Sequence, residues 1–323
     1  MTKVLVTGAA GFIGSNYVRH VLATSDVHVT ILDSLTYAGG TDTIADILAP
    51  EGTDISRVHF IKGDICDRDL VEEVMPGHQR VVNFAAESHV DRSIVDPDAF
   101  IKTNCLGTNV LCDVATKSDV ERFVHVSTDE VYGSRIDGSF VETDLLEPSS
   151  PYSASKAGSD LIALGYHNTF GLNVSVTRAS NNYGPFQYPE KLIPLFVTNL
   201  MRGRSVPLYG DGSNIRDWLY VSDHCAAVEA VVQRGEAGEI YNIGGSAELT
   251  NRELTWRLLE LCDADESLVE HVPDRLGHDQ RYSISLDKIA SLGWEPQVSV
   301  DEGLALTVVW YRDNVDWWQT RRP

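Results

Sequence analysis

Thr128-Asp129-Glu130 sets a hydroxyl and two carboxyl groups side by side, directly after a strand-like apolar run that ends at Ser127. Two carboxyl groups sharing a cleft tend to separate in pKa, so that one stays protonated while the other ionises. Such a pair supplies a general acid and a general base at one pH, as removal of water requires. Further along, Tyr152 and Lys156 stand four residues apart and so share one face of a helix. A neighbouring ammonium and a positively charged nicotinamide would lower the tyrosine from its ordinary pKa of ~10 and make it a base toward an alcohol. Both sets in one chain imply oxidation of a sugar carbon, loss of water and return of the hydride.

Hydride chemistry needs a dinucleotide, and the chain opens on a loop that suits one. Gly8-Ala9-Ala10-Gly11-Phe12-Ile13-Gly14 follows a short apolar strand and precedes a helical stretch. Gly8 permits the tight turn, Gly11 lets backbone approach a pyrophosphate, and Gly14 lets helix and sheet pack closely. The phosphates then meet the positive end of a helix dipole. Asp33 ends the second strand, where a carboxylate can bind an adenosine ribose diol and repel a 2′-phosphate, favouring NAD over NADP. Asp33 also reads as a plain strand-end turn residue. Asp64 and Ile65 are placed to touch adenine, and Asp64 reads equally as a helix N-cap.

These residues need a scaffold, and the first half of the chain describes one. Residues 4–7, 29–32, 58–61, 81–84, 123–127 and 174–177 are short runs rich in β-branched residues. Helical periodicity fills the gaps at 12–22, around 98–114 and at 152–170. Alternation of this kind predicts an α/β fold, a Rossmann-type doubly wound parallel sheet. Continuous apolarity within each run fits strands buried on both faces. After about Ser180 the texture turns shorter and richer in turns, as in Asn181-Asn182-Tyr183-Gly184-Pro185. A smaller α/β substrate-binding lobe is expected at 181–218 and 248–323. The nucleotide domain takes 1–180 and about 219–247, because a helix at 222–233 and a strand at 239–243 return to the first lobe.

With 323 residues, 43% hydrophobic and 23% charged, the chain has the profile of a soluble globular protein. Its formal net charge of −21 disfavours nucleic acid and anionic membranes as partners. Any arginine that holds an anionic ligand must act locally against that field. The start of the chain reads as a strand rather than a signal peptide, and no apolar run reaches the ~18 residues of a membrane span. Five scattered cysteines without a Cys-x-x-Cys fit a reducing cytoplasm, and ten histidines without ligand spacing predict no metal.

With the loop, the Asp-Glu pair and the Tyr/Lys pair in view, the chain resembles the extended short-chain dehydrogenase/reductase superfamily. Within it, the chain is similar to the dTDP-glucose 4,6-dehydratase family. The matching stretches span almost the whole length. They include Ala85-Ala86-Glu87-Ser88-His89-Val90-Asp91-Arg92-Ser93, Pro151-Tyr152-Ser153-Ala154-Ser155-Lys156-Ala157, Pro189-Glu190-Lys191-Leu192-Ile193-Pro194, and Arg216-Asp217-Trp218-Leu219-Tyr220-Val221. The loop and the Tyr/Lys pair belong to the superfamily at large. The Asp129-Glu130 pair is more specific, since sugar epimerases of the superfamily usually lack it.

The resemblance implies a lyase that holds NAD throughout turnover. Tyr152 would take the C4 hydroxyl proton, with Lys156 beside it and Thr128 orienting that hydroxyl. Glu130 would remove the C5 proton, and Asp129 would protonate the departing C6 hydroxyl. The resemblance extends the cofactor contacts to Ser34, Thr36, Ala85, Ala86, Ser88, Thr103 and Asn182. For the nucleotide sugar, dTDP-glucose, it implies Ser88, Asn181, Lys191 and Leu192, with Pro207 to Tyr209 near the base. Arg216 and Asn251 would hold the diphosphate, and Arg275 and His278 its distal end. Arg216 suits phosphate because guanidinium binds it bidentately, although an ion pair with Asp217 is an open alternative. Leu276 stands where the family usually has proline, which loosens that loop's backbone. The helices around 98–114 and 152–170 would pair across a homodimer axis. The rival readings are a 4-epimerase, a dehydratase for another nucleotide sugar, and a dinucleotide-sensing protein without catalysis.

Overall fold

The computed structural model describes residues 1–48, 55–274 and 279–321. Its strands are β1 (Lys3–Thr7), β2 (His28–Asp33), β3 (Val58–Lys62), β4 (Arg80–Asn83), β5 (Arg122–Thr128), β6 (Val174–Ala179), β7 (Asn181–Tyr183), β8 (Val206–Tyr209), β9 (Ile215–Tyr220), β10 (Ile240–Ile243), β11 (Glu248–Thr250) and β12 (Val269–Val272). Seven of them form one sheet in the order β10-β6-β5-β4-β1-β2-β3, every neighbour parallel. This is the doubly wound α/β arrangement that the strand–helix alternation predicts. The strand order reverses between β1 and β4, which opens a crevice at their carboxyl ends.

Helices cover both faces. Phe12–Thr24 and Val221–Arg234 pack one face, and Thr108–Thr116 and Pro151–Phe170 the other. β5 and β6, in the middle of the sheet, are buried at every residue. Burial favours pairing of their polar members, and several are hydrogen-bonded. Thr7 Oγ1 donates to Asn83 Oδ1 at 2.6 Å, Asn83 meets His125 at 3.1 Å, and His125 meets Ser159 at 2.9 Å. Asp160 and Arg178, both buried, pair at 2.9 Å. This polar seam ties the strands to the helix Pro151–Phe170.

A three-stranded sheet (β11-β9-β7), a pair (β12-β8) and the helices Leu192–Leu200, Asn251–Leu261 and Val300–Asp313 share a separate apolar core. The helical stretch around 98–114 is not uniform: Ile101–Gly107 is a π-helix between two α-helical pieces. Asn104 in that segment accepts from Glu87 N at 2.9 Å and donates to Ser155 Oγ at 2.8 Å. It thereby ties the loop after β4 to the helix that carries Tyr152.

Candidate active site

The glycine loop turns where β1 ends. Gly8 has φ +70°, and a Cβ on it would lie 2.5 Å from Ala85 N. A Cβ on Gly14 would lie 2.5 Å from Gly8 O. Only glycine therefore lets the turn, the loop after β4 and the following helix come this close. That helix, Phe12–Thr24, is capped by Gly11 with no side-chain bond and has no acid in its first turn. Its leading N–H groups are free of side-chain competition and suit a pyrophosphate. Asp33 Oδ2 accepts from Ala10 N and Oδ1 from Leu35 N, each at 2.8 Å. Each oxygen keeps a second lone pair, so the turn role and the ribose role coexist. Asp64 is not the helix N-cap: that place belongs to Asp67, while Asp64 Oδ1 accepts from Cys66 N at 2.9 Å.

The loop opens into a cavity of about 390 Å³. Every cofactor position named from the sequence lines it, from Gly8 through Ser34, Thr36, Ile65, Ala85, Ala86, Ser88 and Thr103 to Asn182. Thr128, Asp129, Glu130, Tyr152 and Lys156 line it too, as do Asn181 and Lys191. Thr128 ends β5 and caps the tight turn Asp129–Tyr132, its Oγ1 accepting from Glu130 N at 3.2 Å. Ser150 caps the helix Pro151–Phe170 in a reciprocal box with Ser153. Tyr152 is thereby placed on the first turn, opposite the end of β5.

Charge in this cavity follows burial. Asp129 is 3% exposed, and its Oδ2 has no hydrogen-bond partner. Burial first, then the carboxylates of Glu130 and Asp217, raise its pKa well above the ordinary range, while Arg216 opposes. These effects favour the neutral form of Asp129. Burial pulls Lys156 down to about 8. Its Nζ donates to Val126 O at 2.8 Å. The expectation for Tyr152 is corrected here. Burial, then Glu130 and Asp129, raise its phenol well above 10.0, and a hydrogen bond from Thr128 only partly offsets them. The bond of Lys156 to the strand uses one of its three N–H donors.

Leu192, Pro207, Tyr209, Arg216 and Asn251 stand outside the cavity wall, in the second core region. Arg216, buried, donates to the Asp279 carbonyl at 2.8 Å and lies 4.2 Å over the Tyr282 ring. No ion pair with Asp217 occurs among the described residues, because Asp217 accepts from Gly245 N and Ala247 N at 2.8 and 2.6 Å. The charge of Arg216 still reaches Asp129, which joins this region to the acid. Arg275, Leu276 and His278 lie outside the described residues.

The sequence reading did not single out Glu87, Gln187, Tyr188, Glu190 or His224, all in the cavity wall. Glu190 was visible only as part of a motif. It accepts from Tyr37 OH at 2.9 Å and lies 3.7 Å from Arg92, whose guanidinium stacks 3.4 Å over the Tyr37 ring. Lys191 Nζ donates to Ser88 O at 2.8 Å. Loops after β2, β4 and β7 thus meet at the cavity rim.

A glycine cradle, an uncapped helix start, a carboxylate at the end of β2 and a Tyr/Lys pair fit a bound NAD. Fold and site together define a dinucleotide-dependent enzyme of the short-chain dehydrogenase/reductase type. The model of the family described as GDP-mannose 4,6 dehydratase matches residues 5–307. A dTDP-glucose 4,6-dehydratase of Streptomyces griseus is 54% identical, covering 100% of this chain and 98% of its own. One from Streptomyces niveus is 52% identical over 98% of this chain and 95% of its own. The crystal structure of DesIV, a dTDP-glucose 4,6-dehydratase from Streptomyces venezuelae with NAD bound, superposes with a TM-score of 0.96 at 53% identity, covering 99% of this chain and 100% of that one. The chain belongs to the GDP-mannose 4,6 dehydratase family of nucleotide-sugar dehydratases.

Proposed function

We propose that this chain converts dTDP-D-glucose to dTDP-4-keto-6-deoxy-D-glucose and water, as a hydro-lyase that uses and regenerates bound NAD. One observation carries the reading: a buried Asp129, its pKa raised, lies beside Glu130 and faces the same cavity as Tyr152 and the glycine loop. A 4-epimerase needs only the Tyr/Lys pair, and a sensor needs neither.

When bound, NAD accepts the hydride from C4 and returns it to C6. Tyr152, as tyrosinate, takes the C4 hydroxyl proton, and Thr128 aligns that hydroxyl. The C4 ketone acidifies the C5 hydrogen, which Glu130 removes. Asp129 gives its proton to the C6 hydroxyl, and water leaves. A proton then returns to C5 from Glu130. Lys156 fixes Tyr152 and the nucleotide ribose from its anchor on Val126. Burial and the neighbouring Glu130 raise the pKa of Asp129, which favours its protonated, neutral form, as an acid catalyst requires.

Asn181 and Lys191 support substrate binding from the cavity wall. Leu192, Pro207, Tyr209, Arg216 and Asn251 would hold the diphosphate and base from the adjoining lobe, Arg216 as the principal cation. We assign residues 1–180 and about 219–247 to NAD, and 181–218 with 248–323 to the nucleotide sugar. A cytoplasmic setting agrees with the free cysteines. No helix among the described residues is long and apolar enough to cross a membrane. Ile101, Leu106, Leu161 and Phe170 are apolar and exposed on helices that share one face, and they support a homodimer.

The test is mass spectrometry of purified protein incubated with dTDP-glucose and no added NAD. Loss of one water is expected. An unchanged sugar, or a mass-neutral epimer, would refute the reading.

A further inference from the structure

Beyond the acid, the base and the tyrosine, the cavity wall holds buried acceptor atoms without a partner, His224 Nε2 and Gln187 Oε1 among them. His224 is fully buried in the first turn of the helix Val221–Arg234. Its Nδ1 lies 2.9 Å from Asn182 Oδ1. Asn182 is oriented by its own Nδ2, which donates to Ser180 O at 3.0 Å. Asn182 Oδ1 is therefore the acceptor, and His224 Nδ1 carries the proton. Nε2 is left as a bare lone pair. It is buried and has no hydrogen-bond partner. Burial pulls the imidazole down to about 3, so it stays neutral.

Gln187 repeats the pattern. Its Nε2 donates to the Asn182 carbonyl at 2.9 Å, and its buried Oε1 has no partner. The preceding Phe186 has φ +67°, a costly conformation for a residue with a Cβ. Its ring is clamped by Trp310 at 4.7 Å and by the Arg19 guanidinium at 3.9 Å. Strain of this kind persists only where surrounding packing imposes it, and here it presents Gln187 to the cavity.

Buried acceptors without donors cost free energy unless a ligand brings the donors. We propose that His224 Nε2 accepts a hydrogen bond from the primary carboxamide of the nicotinamide ring and so fixes the ring's orientation toward the sugar. The proposal rests on NAD being the bound dinucleotide. Phosphates offer only acceptors and would repel this lone pair. The adenine amino group belongs with Asp33 and Asp64 at the ends of β2 and β3, toward the far edge of the sheet. Asn182 and His224 stand on the other side of the crevice, past β6, level with Thr128 and Tyr152 in the same cavity. At that end NAD offers two kinds of donor, the ribose hydroxyls and the carboxamide N–H; the hydroxyls belong with Tyr152 and Lys156, which leaves the carboxamide N–H for His224. Gln187 Oε1 is the second acceptor for the same group.

The test uses the holoenzyme equilibrated with equimolar NAD and 3-acetylpyridine adenine dinucleotide, in which a methyl replaces the amide NH₂. Bound nucleotides are released and counted by mass spectrometry. Wild type should favour NAD by about fivefold, the worth of one neutral hydrogen bond. His224→Asn keeps a donor toward Asn182 and lacks the Nε2 acceptor, so it should bind both nearly equally. His224→Gln places an oxygen near the Nε2 position and should restore the preference. Equal binding by wild type overturns the proposal, whether or not the variants fold. So does an undiminished preference in folded His224→Asn, the result expected if a buried water meets Nε2. Recovery of neither nucleotide from wild type would instead refute the NAD reading beneath it.

Discussion

Lys156 Nζ donates to the carbonyl oxygen of Val126 at 2.8 Å, which fastens the helix bearing Tyr152 to the strand that ends at Thr128. The bond keeps an ammonium in a fully buried place, and burial lowers its pKa from 10.5 to about 8. The sign of the resulting pH dependence follows. Between about 8 and 10.5 the unfolded chain holds a proton that the folded chain has released. Stability therefore rises with pH across that window, by up to about 3 kcal/mol, and below it the folded state bears the full cost of the buried charge. Urea denaturation of the NAD-stripped protein should show this rise in wild type relative to Lys156→Met. A pH-independent difference between the two would show that Lys156 keeps its ordinary pKa.

Asp129 is buried with one carboxyl oxygen unpartnered, which suits a proton donor to a leaving hydroxyl. Asp129→Asn should leave C4 oxidation intact and slow water loss by roughly 10²–10⁴-fold. Stopped-flow absorbance should show reduced nicotinamide accumulating in the variant. An equal fall in both steps would remove Asp129 from the acid's role.

Glu130 faces the same cavity from the next residue, more exposed than its neighbour. In Glu130→Gln, solvent deuterium should no longer enter C5 of the product. The check is mass spectrometry of the sugar after turnover in heavy water. Normal incorporation would show that another group takes the C5 proton.

Leu161 is 62% exposed on the helix Pro151–Phe170, facing away from the sheet. Leu161→Asp should place a charge in the proposed dimer face and yield a monomer by sedimentation velocity, with NAD still bound. A dimer of undiminished affinity would move the interface elsewhere.

Tyr152 should depend on nicotinamide charge more than on Lys156, since burial and two carboxylates raise its phenol. Tyr152 and Lys156 share a helix face and one cavity, and the lysine head group also bonds the strand behind it.

The amino-acid order by itself determined whatever is local or periodic. Strand runs, the glycine loop, the carboxylate doublet after β5 and the Tyr/Lys register each depend on neighbours within a few residues, so their geometry is written in spacing. The return of the chain to the first sheet at β10 was legible for the same reason, as a helix followed by a short apolar strand. Folding decided what depends on desolvation and on distant contacts. The pKa of Asp129 is raised by burial, then by Glu130 and Asp217, the latter far along the chain. His224 and Gln187 carry no motif and matter only because Asn182 orients both. Glu190 becomes part of the rim only when Tyr37 and Arg92 arrive from other loops. Burial and long-range hydrogen bonds set protonation and lone-pair direction, and neither exists until the chain has closed around the cavity.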